Sequence, residues 1–450
     1  MQKKGGRAMH LYSLTFLYLL LPVSVAVCLF LPPRARAWAV VTLSAFCYAS
    51  IEHERVLLIA AVILADYLTA RLLGRCEGIP RLRTAVAAVS AGANLALFVL
   101  YGVLEQLYGL HVPLGLGVVC LTGAGYLADC YYGYVASERS LVSFALVMGF
   151  FPRLYAGPLV YYGRTVPQAH RMRMSLERIG RGGRVFVQGL AKKVILGDGI
   201  YQIYVRLHEV HYYNAAVLHV WMMVACLSLS ICFLLSGLCD MARGLGLIFG
   251  LDLPENFRDP FRSISINDFF SRFNITVNRF MRKYVYTAFG APQGGTLSGI
   301  FNILLLSILI GLWYGIRLNM VVWGLYFSAL VLCEKFLLRR IAEAIPPVLR
   351  WIGCTIAVQV SFVLFAGSSL KQSVDYLRVM FGLSGADFLS NEVLYLLNSN
   401  YLLLLVAVFC ASGMGRVAAG FFRRTSPQIW EMVSTLLTLI LLVVTTAFML

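Results

Sequence analysis

Of the 450 residues, 60% are hydrophobic and only 13% are charged, against roughly 45–50% and about 25% in soluble domains. That balance excludes a large soluble domain, and the net charge of +17 falls on no soluble module that could present it to nucleic acid. The apolar runs are long and do not alternate with the period of two that a membrane barrel requires.

The first run, residues 11–31, follows Lys3, Lys4 and Arg7 and precedes Ala35-Arg36-Ala37, a layout that imitates a secretory leader. It is longer than the roughly 7–15 apolar residues of a leader core, so a retained first helix is expected. Further spans are expected at 56–73, 84–104, 215–235, 299–313, 320–338, 351–366, 401–412 and 432–450. Shorter or more polar runs lie near 38–51, 113–128, 140–151 and 185–205. With about 20 residues per crossing, this gives about eleven to thirteen membrane segments, some of them short, tilted or re-entrant. Hydrocarbon offers backbone polar groups no outside partner, so these segments are helices. The expected fold is an all-α polytopic membrane protein forming one domain over residues 1–450.

Charge interrupts the runs in a few places. Asp66 lies inside 56–73, and Lys192, Lys193 and Asp198 lie inside 185–205. Charge at membrane depth ordinarily faces a cavity or a partner, although Lys193 and Asp198 also suit side chains reaching to an interface. Residues 152–184 hold seven arginines (153, 164, 171, 173, 178, 181 and 184) against one acid, Glu177. Such an excess marks a cytoplasmic loop and suits contact with anionic lipid.

Generic catalytic and metal patterns are missing. No two of the eleven cysteines have CxxC spacing, so neither a metal site nor a disulfide framework is expected. Gly244-x-Gly246 with Gly250 misses GxGxxG by one residue, and no Walker A loop, HExxH or GxSxG occurs. There are seven histidines, and none follows His219.

The longest polar stretch, 252–295, carries Phe269, Phe273, Val277, Phe280 and Tyr284 at helical spacing within an arc of roughly 80°. Asn274, Asn278 and Arg282, four apart, line another face of the same expected helix, which would lie in the interface or line a polar cavity. Isolated buried polar groups are costly. Asp240, Glu255, Asn256, Arg282 and Trp313 are therefore expected to converge on one polar cavity, with Asn274 and Tyr314 facing each other across it.

In chain order, the polar islands are Pro113-Leu114-Gly115, Gly125-Tyr126-Leu127-Ala128-Asp129, Phe150-Phe151-Pro152-Arg153-Leu154-Tyr155-Ala156-Gly157-Pro158 and Gly189-Leu190-Ala191-Lys192-Lys193. Ser236-Gly237-Leu238-Cys239-Asp240, Leu253-Pro254-Glu255-Asn256-Phe257, Arg279-Phe280-Met281-Arg282-Lys283-Tyr284-Val285-Tyr286 and Gly311-Leu312-Trp313-Tyr314-Gly315 follow. Together they resemble the membrane-bound O-acyltransferase family from about residue 113 to 370. Within it they resemble the bacterial branch that acetylates alginate and similar exopolysaccharides or carries D-alanine toward teichoic acid.

The resemblance implies a ring of tilted and re-entrant helices around a central funnel in the bacterial cytoplasmic membrane. An acyl thioester donor, acyl-CoA or an acyl-carrier protein, would enter from the cytoplasm. A hydroxyl acceptor would meet it from the other side at a catalytic histidine. No bound cofactor is implied; the partners implied are the lipid bilayer, an acyl-carrier protein or envelope polymer-modification proteins, and no nucleic acid. Substrate-funnel positions fall on Asp240, Glu255, Asn256, Asn278, Arg282 and Trp313, with no metal.

Here the sequence departs from the family. The histidine of Gly-Leu-Trp-His-Gly is Tyr314, the second family histidine is Asn274, and the late Phe-Arg-Ala reads Phe365-Ala366-Gly367. Tyrosine has a pKa of about 10 and an amide is no useful proton acceptor. Losing a general base costs about 10²–10⁴-fold. Three readings stay open: a degenerate member acting as an accessory or binding subunit, an active acyltransferase with another base (Asp240, Glu255 or Asp268), and a lipid or solute transporter on a related scaffold.

Overall fold

The computed structural model describes residues 10–289, 296–338 and 344–450. Lys3, Lys4 and Arg7, and the tail of the polar stretch at 290–295, lie outside the described residues. Among the described residues every regular element is helical. Eight helices are long and apolar enough to cross a bilayer, joined by three shorter apolar pieces, Phe16–Phe30, Leu116–Tyr131 and Leu141–Ala156. The chain is an all-α, multi-pass membrane protein. Its outer surface agrees: on the last span Met432 and Val443 are 71% and 68% exposed, a surface stable only in hydrocarbon.

The chain divides into two compact units. The first contains Met1–Leu190, Leu238–Glu255 and Thr446–Leu450. After a π-helical turn at Phe16–Leu20 it runs through α1 (Leu21–Phe30), α2 (Pro33–Glu52), α3 (Arg55–Arg75) and α4 (Pro80–Tyr108). α5 (Leu116–Tyr131), α6 (Leu141–Gly149), α7 (Phe151–Ala156), α8 (Tyr162–Arg171) and α9 (Leu176–Ala191) follow. Pro33 and Pro80 open their helices, where the missing N–H costs nothing.

Asp66, buried on α3, finds its partner on α4, where Asn94 Nδ2 donates to Asp66 Oδ1 at 2.7 Å. Arg153 corrects part of the charge reading of residues 152–184. Its side chain is fully buried, donating to Thr122 Oγ1 at 3.1 Å and Met148 O at 2.7 Å, so it adds nothing to a surface charge. The reason is local: Phe150 and Phe151 bury the short α7 on which Arg153 sits. On the surface, Arg178 pairs with Asp252 at 2.8 Å.

The second unit contains Ala191–Gly237 and Asn256–Thr445. It opens with a π-helical stretch, Lys192–Asp198. One residue per turn more than an α-helix aligns positions five apart, and Lys193 Nζ meets Asp198 Oδ2 at 2.7 Å. α10 (Gly199–Glu209) and α11 (Val217–Phe249) follow, the latter passing from the second unit into the first after Gly237. Next come α12 (Ile266–Arg272), α13 (Ile275–Phe289), α14 (Thr296–Tyr314), α15 (Leu318–Phe336) and α16 (Pro347–Ala366). α17 (Leu370–Met380), α18 (Asn391–Ala411), α19 (Met414–Thr425) and α20 (Pro427–Met449) complete the chain.

The single helix expected over 268–284 is in fact two, broken at Asn274. This residue has φ +49°, a left-handed conformation costing most L-residues about 1–2 kcal/mol and best tolerated by glycine and asparagine. Side-chain periodicity does not register such a break, because both halves bury the same aromatic stripe: Phe269, Phe273, Val277 and Phe280 are all buried.

Candidate functional site

α14 and α15 form an antiparallel hairpin with a turn of three residues. Glycine lets the two helices touch: a Cβ on Gly311 would collide with the Met320 carbonyl, and one on Gly324 would lie 2.5 Å from the Ser307 carbonyl. At the turn, Tyr314 closes α14. Its ring packs edge-on against Trp323 and Phe365, with centroids 5.5 and 5.8 Å away. Asn319, at the start of α15, donates to Gly367 O at 2.9 Å and so fixes the end of α16 that carries Phe365.

The break in front of α13 is held from twenty residues away in sequence. Asn256 O accepts from Ile275 N at 2.9 Å, and Asn256 Oδ1 accepts from Thr276 N at 2.9 Å and Thr276 Oγ1 at 2.8 Å. One asparagine thus satisfies two of the donors that a helix start leaves without intrahelical partners. Its other side-chain atom continues the chain: Asn256 Nδ2 donates to Asn274 Oδ1 at 2.9 Å, and Asn274 Nδ2 donates to Tyr314 Oη at 2.9 Å. Asn256 and Asn274 are 3% and 7% exposed, so in an apolar setting these bonds replace water that cannot enter. Asn274-Ile275-Thr276 spells an N-glycosylation sequon, but its asparagine is a buried, hydrogen-bonded amide.

Asn274 and Tyr314 thus meet directly, and Asn256 joins them. Asn278 and Arg282 turn elsewhere. They line a cleft of about 860 Å³ on the side of α13 facing α14, α15 and α16, while Asn278 Nδ2 also donates to Phe270 O at 2.8 Å. Trp313 is half-buried beside Tyr314. Asp240 and Glu255 belong to the first unit, where Asp240 accepts from Arg243 at 3.1 Å. Asp268, on α12, is held by Arg272 at 2.7 Å.

Two groups have no role that the sequence assigns, and one of them, His208, lies on a helix where a polar loop was expected. Trp323, 2% exposed, is the aromatic floor under Tyr314 but is one more apolar residue within a membrane span. His208, on α10, places Nε2 3.0 Å from Ala366 O, the residue after Phe365. A carbonyl only accepts, so this bond puts the neutral ring's proton on Nε2 and leaves Nδ1 as its basic atom. Tyr376 on α17 lies beside it with centroids 6.3 Å apart, its phenol pushed up by burial. No sequence signal links His208 to a motif 158 residues later.

Asn256, Asn274 and Tyr314 place two carboxamides and a phenol in series. They can orient a hydroxyl or a carbonyl by hydrogen bonding, but none is a base at neutral pH. Among the described residues no cluster of three histidine, cysteine or acidic side chains is able to hold a metal ion.

The family model for MBOAT, the membrane-bound O-acyltransferase family, matches residues 132–374. A probable alginate O-acetylase, AlgI, of Azotobacter vinelandii is 28% identical over 389 residues, covering 82% of this chain and 77% of the relative. A peptidoglycan O-acetyltransferase of Helicobacter pylori is 29% identical over 273 residues, 58% of this chain and 51% of that one. A teichoic acid D-alanyltransferase of Bacillus subtilis is 25% identical over 234 residues, 50% and 59% of the two chains.

Proposed function

Because the chain belongs to the membrane-bound O-acyltransferase family, we propose that it is a catalytically degenerate member, serving as an accessory or binding subunit in the acylation or export of a cell-surface polymer. The observation that carries this reading is the hydrogen-bonded series Asn256–Asn274–Tyr314, in which Asn274 and Tyr314 stand where the resemblance places the family's histidines. Acyl transfer to a hydroxyl needs a group that takes the attacking proton as the thioester opens. Carboxamides do not take it, and a phenol with a pKa of about 10 is ionised in only about one molecule in a thousand at pH 7. The series is also structurally complete: the amide of Asn274 is used at both ends, which is the behaviour of a core polar network and not of a group awaiting substrate.

In this role the chain works through its surfaces and cavity walls. An acyl-carrier protein, an acyl thioester or an envelope polymer-modification protein would be its partner, and a histidine-bearing homologue would perform the chemistry. The test is complementation of a deletion strain, read as acyl content of the surface polymer. Tyr314→Phe should complement fully, since the phenol is no proton acceptor. Loss of polymer acylation at unchanged protein level would end this reading.

One observation favours a second reading, an active acyltransferase with a relocated base. The hydrogen bond from His208 to Ala366 brings an imidazole to the segment that carries Phe365. On that reading His208→Gln abolishes acyl transfer by the purified chain. On the degenerate reading there is no transfer to abolish.

A further inference from the structure

The cleft on the far side of α13 has a volume of about 860 Å³, within the roughly 300–1,000 Å³ of ligand sites. Its long wall is apolar, formed by Phe270, Leu306, Ile310, Leu330, Leu349 and Ala357 on α12, α14, α15 and α16. Three of those helices are membrane spans. Among the described residues its charged lining is unbalanced: Arg282, Lys335 and Arg350 stand against one carboxylate, Glu334.

That carboxylate is already engaged. Glu334 accepts from Ile266 N at 2.7 Å and Asn267 N at 3.4 Å, at the start of α12. Arg350 has no ion pair among the described residues, and its Nε is buried without a hydrogen-bond partner. Arg350 as a whole is half-buried, so its guanidinium remains available to an anionic group in the cleft. Arg350 sits in the first turn of α16, at the edge of a span, where basic side chains meet lipid phosphate.

We propose that this cleft binds one anionic glycerophospholipid, its phosphate against Arg350 and Arg282 and an acyl chain along the apolar wall. The apolar length excludes a free phosphate as a sufficient ligand, and the excess of cations selects a net negative headgroup over a zwitterionic one. Asn278 and Arg282, two of the expected funnel positions, line the cleft, whereas Tyr314 and Asn256 do not, so the lipid is placed apart from the Asn256–Asn274–Tyr314 series.

Two substitutions test it in the full chain. Gly353 lines the cleft, and a Cβ there would meet nothing within 4 Å, so Gly353→Leu fills ligand space without striking the protein. Arg350→Met removes the unsatisfied guanidinium and keeps an apolar stem, so the lipid-free protein should unfold at an equal or higher temperature than wild type. Delipidated protein in a neutral detergent is titrated with dioleoylphosphatidylglycerol, dioleoylphosphatidylcholine, inorganic phosphate or an acyl-coenzyme A, following the unfolding temperature. A saturable rise is expected with phosphatidylglycerol alone, with apparent affinity about ten-fold weaker in Arg350→Met and the rise lost in Gly353→Leu. Native mass spectrometry of the wild type should show one retained anionic lipid. An equal rise with phosphatidylcholine or phosphate, wild-type affinity in either variant, or a response to acyl-coenzyme A without one to phosphatidylglycerol would overturn the proposal.

Discussion

The two sides of α13 treat polar residues in opposite ways. At its start, Asn274 is closed in by Asn256 and Tyr314, which bond the two ends of its amide. Further along, Asn278 and Arg282 look into a cleft where Arg350 Nε is buried without a partner. By spacing alone Asn274, Asn278 and Arg282 belong to one face; the left-handed residue at 274 separates them. The difference teaches that completeness of hydrogen bonding, more than the presence of polar residues, distinguishes a polar core from a site open to a ligand.

Several substitutions would break or sharpen that contrast. The largest effect is expected from Gly324→Leu, which forces a side chain against the Ser307 carbonyl and separates the hairpin that presents Tyr314. It should cost about 3 kcal/mol and lower the yield of folded protein, measured by thermal unfolding in detergent. Asn256→Ala should follow at about 2 kcal/mol, because it uncaps α13 and leaves Asn274 without its donor. Hydrogen exchange should then rise first at Ile275 and Thr276; unchanged protection there would break the comparison.

At position 274 itself, alanine and glycine both delete the carboxamide, but only alanine keeps the left-handed penalty. Asn274→Ala should therefore unfold about 1 kcal/mol more easily than Asn274→Gly, and equal stabilities would show that the conformation is not held in solution. Tyr314→Phe removes one hydrogen bond and leaves the ring packed on Trp323, so a loss of about 1 kcal/mol or less is expected. The cleft side should respond least: Arg350→Met, which destabilises no ion pair among the described residues, should leave unfolding of the lipid-free chain unchanged or slightly later.

Much of the architecture was legible because hydrocarbon makes length and apolarity sufficient evidence for a span. The runs 56–73 and 299–313 are the cores of α3 and α14. Asn274 and Tyr314 were expected to face each other across a cavity, but they bond directly, which polar spacing cannot distinguish. The interruption at Asn274 was not legible, since the aromatic stripe continues in phase across it and the cap that stabilises it comes from Asn256. Arg153 looked like a surface charge because composition cannot tell a guanidinium buried on Thr122 from one in water. His208 was invisible because its link to Ala366 is a side chain on a backbone carbonyl, which leaves no pattern in residue types.

The central claim is that the polar series Asn256–Asn274–Tyr314 is structural and not catalytic. Its most direct test is acyl transfer by the purified full chain, followed as thiol release from acyl-coenzyme A and acyl-carrier donors with a panel of hydroxyl acceptors. Wild type should not exceed background, and Tyr314→Phe should be indistinguishable from it. Turnover above background that survives removal of contaminating homologues and disappears in Tyr314→Phe would contradict the claim.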